Sequence, residues 1–326
     1  MNDVPRARVL VTRRWPERVE AEIAARYDAT FNADDRPLTA AELVVAMRQY
    51  DAICATITDR IDRAVFEAPD RRAQIIVNFG AGVDHIDLEA ARAGGVAVTN
   101  TPGVLTDATA DIALTLMLMT TRRAGEGERE LRSGGWTGWR PTHLLGTSLR
   151  GKTLGLFGFG RIAKATAERA RFGFGMDIAY HSRRRGDAQD EEHLGARYCA
   201  SLIELAGSCD VLSLHVPGGA ATRGIIGAEV FAAMRPHAVL INTARGDVVD
   251  EPALVQALRE GMIAGAGLDV FVGEPAVSQA LLEAPNTVLL PHLGSATIET
   301  REAMGFCALA NLDDWREGRT PRNALA

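Results

Sequence analysis

Short apolar runs alternate with stretches of helical spacing along nearly the whole chain. This alternation is typical of βαβ units, in which a buried strand is followed by a helix that crosses to the next parallel strand. The predicted strands are Arg8–Thr12, Ala52–Ala55, Ile75–Phe79, Val96–Thr99, Thr153–Phe157, Asp177–His181, Val211–His215, Ala238–Asn242, Gly265–Val270 and Thr287–Leu290. We therefore expect an α/β fold with doubly wound parallel sheets, Rossmann-like or flavodoxin-like.

Polar residues mark the starts of two predicted helices. Thr39 with Glu42 and Ser201 with Glu204 fit the capping box. In this motif the hydroxyl accepts a hydrogen bond from the third helical amide, and the carboxylate accepts one from the capping residue's own amide. Both pairs precede apolar residues at helical spacing, so we expect a helix after each.

Three further helices are predicted from apolar spacing and end signals. One helix follows Asp250 and should stop at Gly261. Another covers Thr106–Arg123 and is apolar on every side in its middle, which indicates burial between packed bodies. A third covers Ser295–Trp315. We place a domain boundary before the second of these helices, near Pro102–Gly103.

Composition narrows the class of protein. The 326 residues are 47% hydrophobic and 24% charged, which suits two globular domains. A formal net charge of -6 argues against a general nucleic-acid or membrane-surface binder.

The longest apolar stretch, near Ile112–Met119, is much shorter than the roughly 20 residues that cross a bilayer, and no signal-type segment is visible. We expect a cytoplasmic protein with reduced cysteines at Cys54, Cys199, Cys209 and Cys307.

A glycine motif follows the predicted strand Thr153–Phe157. The run reads Gly158-Phe159-Gly160-Arg161-Ile162-Ala163 and opens a helix. Gly158 permits the tight turn, Gly160 lets the backbone approach a pyrophosphate, and Ala163 lets the helix pack closely on the strand. A plain glycine turn is the alternative, but the strand and helix that flank the motif favour a dinucleotide site.

The end of the next strand indicates which dinucleotide binds. A site that prefers NAD usually has an acidic residue there, whereas this chain has His181-Ser182-Arg183-Arg184-Arg185. Asp177 lies at the start of that strand and should point away from the ribose. Since guanidinium groups and a hydroxyl suit a 2′-phosphate, we predict NADP(H) over NAD(H). The alternative is that the arginines are solvated surface residues and that NAD(H) binds.

Three polar side chains lie near strand ends of the second half. Arg245 can hold a carboxylate and polarise a neighbouring carbonyl, and His292 can exchange a proton at an oxygen. Glu274, 18 residues before His292, could bond the second ring nitrogen, fix the tautomer and favour the imidazolium. Each has an alternative role in a cap, turn or loop, but their order after a dinucleotide motif favours catalysis.

These motifs together resemble the D-isomer-specific 2-hydroxyacid dehydrogenase family, and within it the glyoxylate/hydroxypyruvate reductase branch. The resemblance covers essentially the whole chain. Its residues are 80–87 (GAGVDHID), 104–111 (VLTDATAD), 158–163 (GFGRIA), 243–246 (TARG), 267–270 (GLDV), 291–297 (PHLGSAT) and, for the reductase branch, 136–141 (WTGWRP). Glu274 argues against the formate dehydrogenase branch, in which a neutral amide partners the histidine.

The resemblance implies a domain arrangement and a partner. Residues 1–102 and 297–326 would form a substrate domain around an NAD(P)-binding Rossmann domain of residues 103–296, with a cleft between the two. A homodimer would form through residues 106–148. Within that region, Trp139 resembles an aromatic that such reductases extend towards the partner's site; the alternative is a packing anchor of the dimer.

The resemblance also assigns binding residues. The amides of Ala81, Gly82 and Val83 would hold the substrate carboxylate together with Arg245, and Ile57 would contact the substrate; a simple tight turn is the alternative at 81–83. The implied cofactor contacts are Thr109, Gly158, Phe159, Gly160, Arg161, Ile162, Ser182, Arg183, Arg184, His215, Val216, Pro217, Thr222, Thr243, Ala244, Asp269, His292 and Gly294. The run Pro217-Gly218-Gly219-Ala220 departs from the family pattern, and we expect it to loosen the adenosine contacts.

We therefore predict an NADPH-preferring reductase of small 2-oxo acids, with no metal, in which hydride reaches the keto carbon while His292 protonates the carbonyl oxygen. Two rivals stay open. One is another D-2-hydroxyacid dehydrogenase, acting on phosphoglycerate or a bulky 2-oxo acid. The other is a dinucleotide-sensing protein like the corepressor branch of the family, in which the cofactor controls assembly.

Overall fold

The computed structural model describes residues 6–326. They divide into two units, the first comprising the chain up to Leu105 together with Ala296–Ala326, and the second comprising Thr106–Ser295. The sequence placed the boundary near residues 102 and 103, slightly before the observed end of the first segment. The first five residues of the predicted domain 1–102 lie outside the described residues.

Each unit contains one parallel sheet. The strands of the first are β1 Arg8–Val11, β2 Asp28–Phe31, β3 Ala52–Thr56, β4 Ile75–Phe79 and β5 Ala97–Thr99, in the spatial order β2-β1-β3-β4-β5. The strands of the second are β6 Thr153–Phe157, β7 Asp177–His181, β8 Ala196–Tyr198, β9 Val211–Leu214, β10 Val239–Asn242, β11 Gly265–Leu268 and β12 Thr287–Leu289, in the order β12-β11-β10-β9-β6-β7-β8. These are flavodoxin-like and Rossmann-like orders, so the predicted fold class is confirmed.

Helices connect the strands. They are α1 Glu17–Arg26, α2 Ala40–Gln49, α3 Arg63–Phe66, α4 Leu88–Ala93, α5 Thr106–Thr121, α6 Ala124–Arg132, α7 Arg161–Glu168, α8 Ala188–Leu194, α9 Leu202–Ser208, α10 Ala228–Ala233, α11 Glu251–Arg259, α12 Gln279–Leu282 and α13 Ile298–Arg316. A π-helical turn at Arg169–Gly173 extends α7, and a 3₁₀ turn covers Gly246–Val248. The chain returns to the first unit in α13.

Both faces of each sheet are covered by helices, as expected for doubly wound sheets. In the first unit, α2, α3 and α4 cover one face with residues such as Leu43 and Phe66, while α1 and α13 cover the other. In the second unit, α5, α7 and α8 cover one face, while α9, α10, α11 and α12 cover the other. Continuous apolar strands follow from this burial on both sides.

The apolar helix α5 packs closely on the second sheet. A Cβ at Gly267 of β11 would lie 3.0 Å from the Cβ of Leu116 and 2.8 Å from Oγ1 of Thr120, so glycine lets the helix approach the strand. Leu116 and Met117 are fully buried, whereas Ile112, Leu118 and Met119 keep part of their surface exposed. These three side chains pack against the edge of the same core, and the exposed residues in the middle of the helix are the polar Asp111 and Thr115.

The predicted helix starts at Thr39, Ser201 and Asp250 are confirmed, but the capping box is complete only at Thr39. Thr39 and Glu42 form the complete capping box, and Asp250 caps α11, which ends just before Gly261. Ser201 accepts from the amide of Glu204, but the carboxylate of Glu204 accepts from the amide of Ala200 instead of closing the box.

The sequence missed the edge strands β2 and β8. Residues of β2 alternate between exposed and half-buried, and β8 has a single buried residue. An edge strand pairs on one side only, so it needs no continuous apolar run, and the pattern used to find strands is absent from both segments. Their pairing with β1 and β7 decides their conformation.

The C-terminal segment is fixed to the first unit at two places. Its backbone pairs with β5, since the amide of Leu325 donates to the carbonyl of Val98 at 2.7 Å. In the last turn of α13, the carboxylate of Asp314 accepts hydrogen bonds from the guanidinium groups of Arg319 and Arg322. These charge-assisted bonds close the turn that leads from the helix into the paired segment.

Two properties bear on the environment of the protein. Within residues 6–326, the structure has no helix that is both long enough and apolar enough to cross a membrane. Cys54, Cys199 and Cys209 are buried free thiols, and Cys307 is a half-buried one.

We expect Asp314→Asn to lower the melting temperature at neutral pH. The hydrogen bonds from Arg322 and Arg319 lower the pKa of Asp314 below its usual 3.8. A lowered pKa in the folded state means that the carboxylate stabilises the fold above pH 3.8 and loses this effect as the pH falls through the folded value. The melting-temperature difference between variant and wild type should therefore narrow in acid, measured by circular dichroism.

Asp70→Asn is the matched control, because Asp70 is an exposed residue of the same unit whose ion pair with Arg48 is long, at 3.9 Å. It should melt like the wild type. If Asp314→Asn melts like the wild type at neutral pH, or if its melting-temperature difference from the wild type is the same in acid, the ion pairs of Asp314 with Arg319 and Arg322 do not stabilise the fold as proposed.

Candidate active site

Gly158 and Gly160 form the turn between β6 and α7. Gly158 has φ +98°, and a Cβ there would lie 2.5 Å from the carbonyl oxygen of His215, so protein packing requires glycine. A Cβ at Gly160 would meet no protein atom within 4 Å. The free space at Gly160 lies at the start of α7, whose first amides have no intrahelical acceptor. This arrangement fits a pyrophosphate.

The other residues of the glycine motif complete this turn. Arg161 and Ile162 are the first residues of α7, and Ala163 is fully buried behind them. The ring of Phe159 stacks on the ring of Tyr180 with centroids 3.8 Å apart. The motif thus forms the turn between a strand and a helix that the sequence predicts.

The loop after β7 carries the predicted 2′-phosphate residues. Ser182 donates from its hydroxyl to the carbonyl of Arg184 at 2.6 Å. Arg183 and Arg184 are exposed, and the described part of the chain gives neither guanidinium a hydrogen bond or ion pair. Arg185 differs, because it forms a bidentate ion pair with Glu191 at 2.9 Å. Two of the three arginines are therefore available to an anion.

The segment after β9 lies beside the glycine turn. The amide of His215 donates to the carbonyl of Phe157 at 2.8 Å, which continues the pairing of β9 with β6. Burial lowers the pKa of His215 to about 4, so this ring is neutral near pH 7. Thr222 donates to the carbonyl of Pro217 at 2.7 Å and closes the following loop, which begins with Val216.

The turn after β10 positions Arg245. The side chain of Asn242 accepts from the amide of Ala244 and donates to the carbonyl of Arg245, both at 2.9 Å. Arg245 is half-buried, and its guanidinium donates to the carbonyl of Ala244 at 2.8 Å. Within residues 6–326 the buried hydroxyl of Thr243 has no hydrogen-bond partner, which fits a polar ligand at this turn.

The departure at Pro217-Gly218-Gly219-Ala220 has a local reason in the packing. A Cβ on Gly218 would lie 2.9 Å from Cγ of Arg245 and 3.2 Å from Oδ1 of Asp247. Glycine at position 218 therefore makes room for the stem of Arg245. The sequence connected this run with adenosine contacts alone, since it does not reveal a contact between two distant loops.

Asp269 follows β11 and is almost completely buried. Its carboxylate accepts from the amides of Leu293 and Gly294 at 2.6 and 2.7 Å. Burial raises the pKa of Asp269, and these two amides oppose the rise. A Cβ at Gly294 would lie 3.5 Å from the side chain of Thr109 on α5. The structure thus brings together three residues that the sequence assigned to the cofactor.

Glu274 and His292 form a hydrogen-bonded pair. Nδ1 of His292 lies 2.8 Å from Oε2 of Glu274, while Oε1 of Glu274 accepts from the amide of Phe271 at 2.9 Å. His292 has φ +55°, a left-handed conformation that is uncommon for a side chain other than glycine. Its amide is held by the carbonyls of Asp269 and Leu290, both at 3.0 Å.

The charges around Glu274 keep it ionised. Burial alone would raise the pKa of Glu274, but the hydrogen bonds from His292 and Phe271 and the positive charges of His292 and Arg245 lower it overall. An ionised carboxylate on Nδ1 requires that this nitrogen carry a proton. The other ring nitrogen, Nε2, is then the atom through which His292 can exchange a proton with a ligand.

The loop after β4 belongs to the first unit and is held by two asparagine side chains. The fully buried side chain of Asn78 donates to the carbonyls of Gly80 and Gly82 at 3.0 and 2.9 Å. Asn100 donates to the carbonyl of Ala81 at 2.8 Å. In the described chain, the amides of Ala81, Gly82 and Val83 donate to no protein acceptor. The carbonyls are fixed and the amides stay available.

Two predicted substrate residues lie in different environments. Ile57, partly exposed after β3, has its Cγ2 3.4 Å from the position of a Cβ on Gly80, so it packs against the loop just described. Trp139 is 81% exposed in the irregular segment after α6. The structure therefore brings Ile57, but not Trp139, to the predicted binding loops.

Sequence reasoning missed the asparagines Asn78 and Asn242. Asn78 is the penultimate residue of β4 and Asn242 is the last residue of β10, and each holds a turn that carries predicted binding residues. The signal that could have found them is their position. A polar side chain in a buried strand is costly unless it is hydrogen-bonded, so an asparagine near the end of such a strand indicates hydrogen bonds to the following turn.

Comparison with known proteins gives the family. The model of the D-isomer specific 2-hydroxyacid dehydrogenase NAD-binding domain matches residues 114–294. A glyoxylate reductase from Thermococcus litoralis is 44% identical over 323 residues, which cover 98% of this chain and 96% of that protein. The chain belongs to the D-isomer specific 2-hydroxyacid dehydrogenase family.

Solved structures of relatives match this dehydrogenase over nearly its whole length. One is a D-isomer specific 2-hydroxyacid dehydrogenase from a Polaromonas species, with a TM-score of 0.92, 39% identity, and coverage of 99% of this chain and 100% of that one. Another is an NADPH-dependent glyoxylate/hydroxypyruvate reductase from Sinorhizobium meliloti in complex with NADP and malonate. Its TM-score is 0.87 at 40% identity, with coverage of 98% and 97%.

The second unit of the dehydrogenase contains all three predicted catalytic side chains. Arg245, Glu274 and His292 follow β10, β11 and β12, so they lie at the carboxyl edge of the sheet, where β6 also ends in the glycine turn. Ligands of doubly wound folds bind at this edge. The arrangement can therefore place a proton donor and a guanidinium near a dinucleotide bound at the same edge.

Proposed function

We propose that this dehydrogenase reduces small 2-oxo acids such as glyoxylate and hydroxypyruvate to the 2-hydroxy acids, with NADPH as its preferred cofactor. The observation that carries the proposal is the bond of 2.8 Å between His292 and Glu274 at the carboxyl edge of the sheet that holds the glycine turn. The relatives named glyoxylate reductase support this choice of substrate class.

His292 supplies the proton. The reduction adds a hydride to the keto carbon and a proton to its oxygen, and the nicotinamide cofactor, when bound, supplies the hydride. Because Nδ1 is engaged by Glu274, Nε2 of the imidazolium is the donor to the carbonyl oxygen. The carboxylate of Glu274 stabilises the imidazolium before the transfer and fixes the tautomer that remains after it.

Two groups of donors are assigned to the substrate carboxylate. Arg245 offers a planar guanidinium, which can hold a carboxylate through two parallel hydrogen bonds. The amides of Ala81, Gly82 and Val83 are a second set of donors, and unlike the guanidinium they carry no net charge. Holding the carboxylate fixes the orientation of the keto carbon, which is a contribution separate from proton transfer. Ile57 adds an apolar contact beside these amides.

NADPH is favoured because of the loop after β7. Arg183 and Arg184 are exposed without protein partners in the described chain, and Ser182 adds a hydroxyl. A 2′-phosphate would gain charge-assisted hydrogen bonds from them. The residue that ends β7 is His181. An acidic residue at this position would repel the phosphate, and the imidazole of a histidine does not.

A homodimer through residues 106–148 and a cytoplasmic location belong to the same proposal. Large apolar side chains are exposed in that region, which is typical of an interaction surface: Leu131 is 61% exposed, Trp136 51%, Trp139 81% and Leu145 65%. Trp139 would then act at the partner's site. Four free thiols fit a reducing compartment.

The first experiment compares substrates and cofactors. Glyoxylate, hydroxypyruvate and phenylpyruvate are assayed side by side with NADPH and with NADH, and we expect the highest kcat/KM for the two small acids with NADPH. A preference for phenylpyruvate would indicate a different dehydrogenase of this family. No turnover of any 2-oxo acid, together with NADPH-dependent oligomerisation, would favour a dinucleotide sensor.

The acid role predicts that His292→Ala loses kcat by roughly 10²–10⁴-fold, the usual worth of general acid catalysis, while NADPH still binds. Glu274→Gln should lose less kcat, since it removes the charge but keeps an oxygen for the amide of Phe271.

The pKa of Glu274 is lowered from its usual 4.5, so its carboxylate is still ionised at about pH 5. Acidification of the wild type to that pH should therefore not break the hydrogen bond between Glu274 and His292.

His193→Ala, which changes an exposed histidine on α8, is the control and should keep the wild-type kcat. Near-normal kcat in His292→Ala would exclude the acid role, and equal losses in both histidine variants would point to a general effect on folding.

The double variant Arg183→Ala/Arg184→Ala tests the 2′-phosphate site. Its kcat/KM with NADPH should fall at least tenfold, since hydrogen bonds to charged groups contribute about 1.5–3 kcal/mol each, while kcat/KM with NADH should change little. Arg259→Ala, an exposed arginine at the end of α11, is the matched control. An equal fall with both cofactors would remove these arginines from cofactor selection.

A further inference from the structure

The loop that carries Arg183 and Arg184 is fixed at both ends. At its start, the carbonyl of His181 accepts from the amide of Gly158 at 2.8 Å. At its end, the amide of Gly186 donates to the phenolic oxygen of Tyr180 at 2.8 Å. Residues 182–186 therefore form a loop that leaves β7 after His181 and comes back to the side chain of Tyr180 in the same strand.

Tyr180 is a fully buried residue of β7 with a hydroxyl that makes two hydrogen bonds. The oxygen accepts from the amide of Gly186, and the O–H donates to the carboxylate of Glu191 on α8. Burial and the bond to Glu191 raise the pKa of Tyr180 to about 12. The hydroxyl therefore remains a donor at every pH used for assays.

The end of the loop also rests on the glycine motif. A Cβ on Gly186 would lie 2.6 and 2.8 Å from two ring carbons of Phe159. That ring cannot retreat, because it is stacked on Tyr180 with centroids 3.8 Å apart. Glycine at position 186 thus lets the loop pass directly over the residue between Gly158 and Gly160, so the arginine loop and the phosphate turn are in contact.

Arg185 belongs to this support and not to the ligand site. Its guanidinium makes two hydrogen bonds of 2.9 Å to Glu191, the same carboxylate that accepts from Tyr180. It also lies over the ring of Tyr198, with 5.7 Å between the guanidinium carbon and the ring centroid. Arg183 and Arg184 lie in the middle of the loop. The two residues that follow them are both held in place, Arg185 by the carboxylate of Glu191 and Gly186 by the hydroxyl of Tyr180.

We infer that Tyr180, Gly186 and Glu191 are positioning residues that fix the loop for a 2′-phosphate and so set the preference for NADPH over NADH. This inference rests on the proposed preference for NADPH. The guanidinium groups of Arg183 and Arg184 are on long, mobile side chains, and their entropy cost on binding falls when the backbone that carries them is already fixed.

Tyr180→Phe tests the inference, because it keeps the ring stacked on Phe159 and removes only the oxygen. Tyr198→Phe is the matched control, since it removes a hydroxyl from the neighbouring strand β8, and within residues 6–326 that hydroxyl has no hydrogen bond. Binding is measured by isothermal titration calorimetry with NADPH, NADH, adenosine 2′,5′-bisphosphate and AMP, without substrate, and folding is checked by circular dichroism.

We expect Kd of Tyr180→Phe for NADPH and for adenosine 2′,5′-bisphosphate to rise roughly three- to tenfold, the effect of about one hydrogen bond, with Kd for NADH and AMP unchanged. Tyr198→Phe should bind all four like the wild type. Equal rises for phosphorylated and unphosphorylated ligands, or no rise at all, would overturn the positioning role. A wild type that binds NADPH no better than NADH would overturn the proposed preference, and the inference with it.

Discussion

Asp269 connects the two loops that carry Arg245 and His292. Its amide donates to the carbonyl of Asn242 at 2.9 Å, and the side chain of Asn242 holds the turn that ends in Arg245. Its carbonyl accepts from the amide of His292 at 3.0 Å, and its buried carboxylate accepts from the next two amides. A buried carboxylate is costly unless its oxygens are hydrogen-bonded, so the amides of the histidine loop are held to it firmly. Each oxygen retains further acceptor capacity, which leaves room for the proposed contact with the cofactor.

This connection explains how His292 keeps a left-handed backbone. A non-glycine residue in such a conformation costs on the order of 1–3 kcal/mol and persists where surrounding contacts determine it. Here the amide of His292 and the amides of the two following residues are all bonded to fixed acceptors, and the ring is bonded to Glu274. The result is a ring whose orientation is set by backbone hydrogen bonds on one side and a carboxylate on the other. An acid with a fixed orientation loses little entropy when it meets the substrate oxygen.

The charge of the protein is a poor guide to its ligands. The chain has six more acidic than basic residues, yet its proposed cofactor and substrate are both anions. Local structure accounts for this: exposed guanidinium groups, available loop amides and a helix start are concentrated at particular turns. Arg185 and Arg184 are neighbours in sequence, but one is neutralised by Glu191 and the other is not. Only the arrangement of partners distinguishes a binding arginine from a supporting one.

The sequence by itself determined the fold class, because a strand buried on both faces must be continuously apolar and a glycine-rich turn between such a strand and a helix is typical of a dinucleotide-binding βα unit. It also indicated Arg245, Glu274 and His292, since their residue types and their places near strand ends are visible along the chain. It could not show the edge strands β2 and β8, which are only half buried, or the role of Gly218, whose neighbour Arg245 is distant in sequence. Nor could it separate Arg183 and Arg184 from Arg185, or show that the hydroxyl of Tyr180 holds the end of their loop. These depend on which side chains of different strands and loops come within a few ångströms, and only the packing of the folded chain decides that.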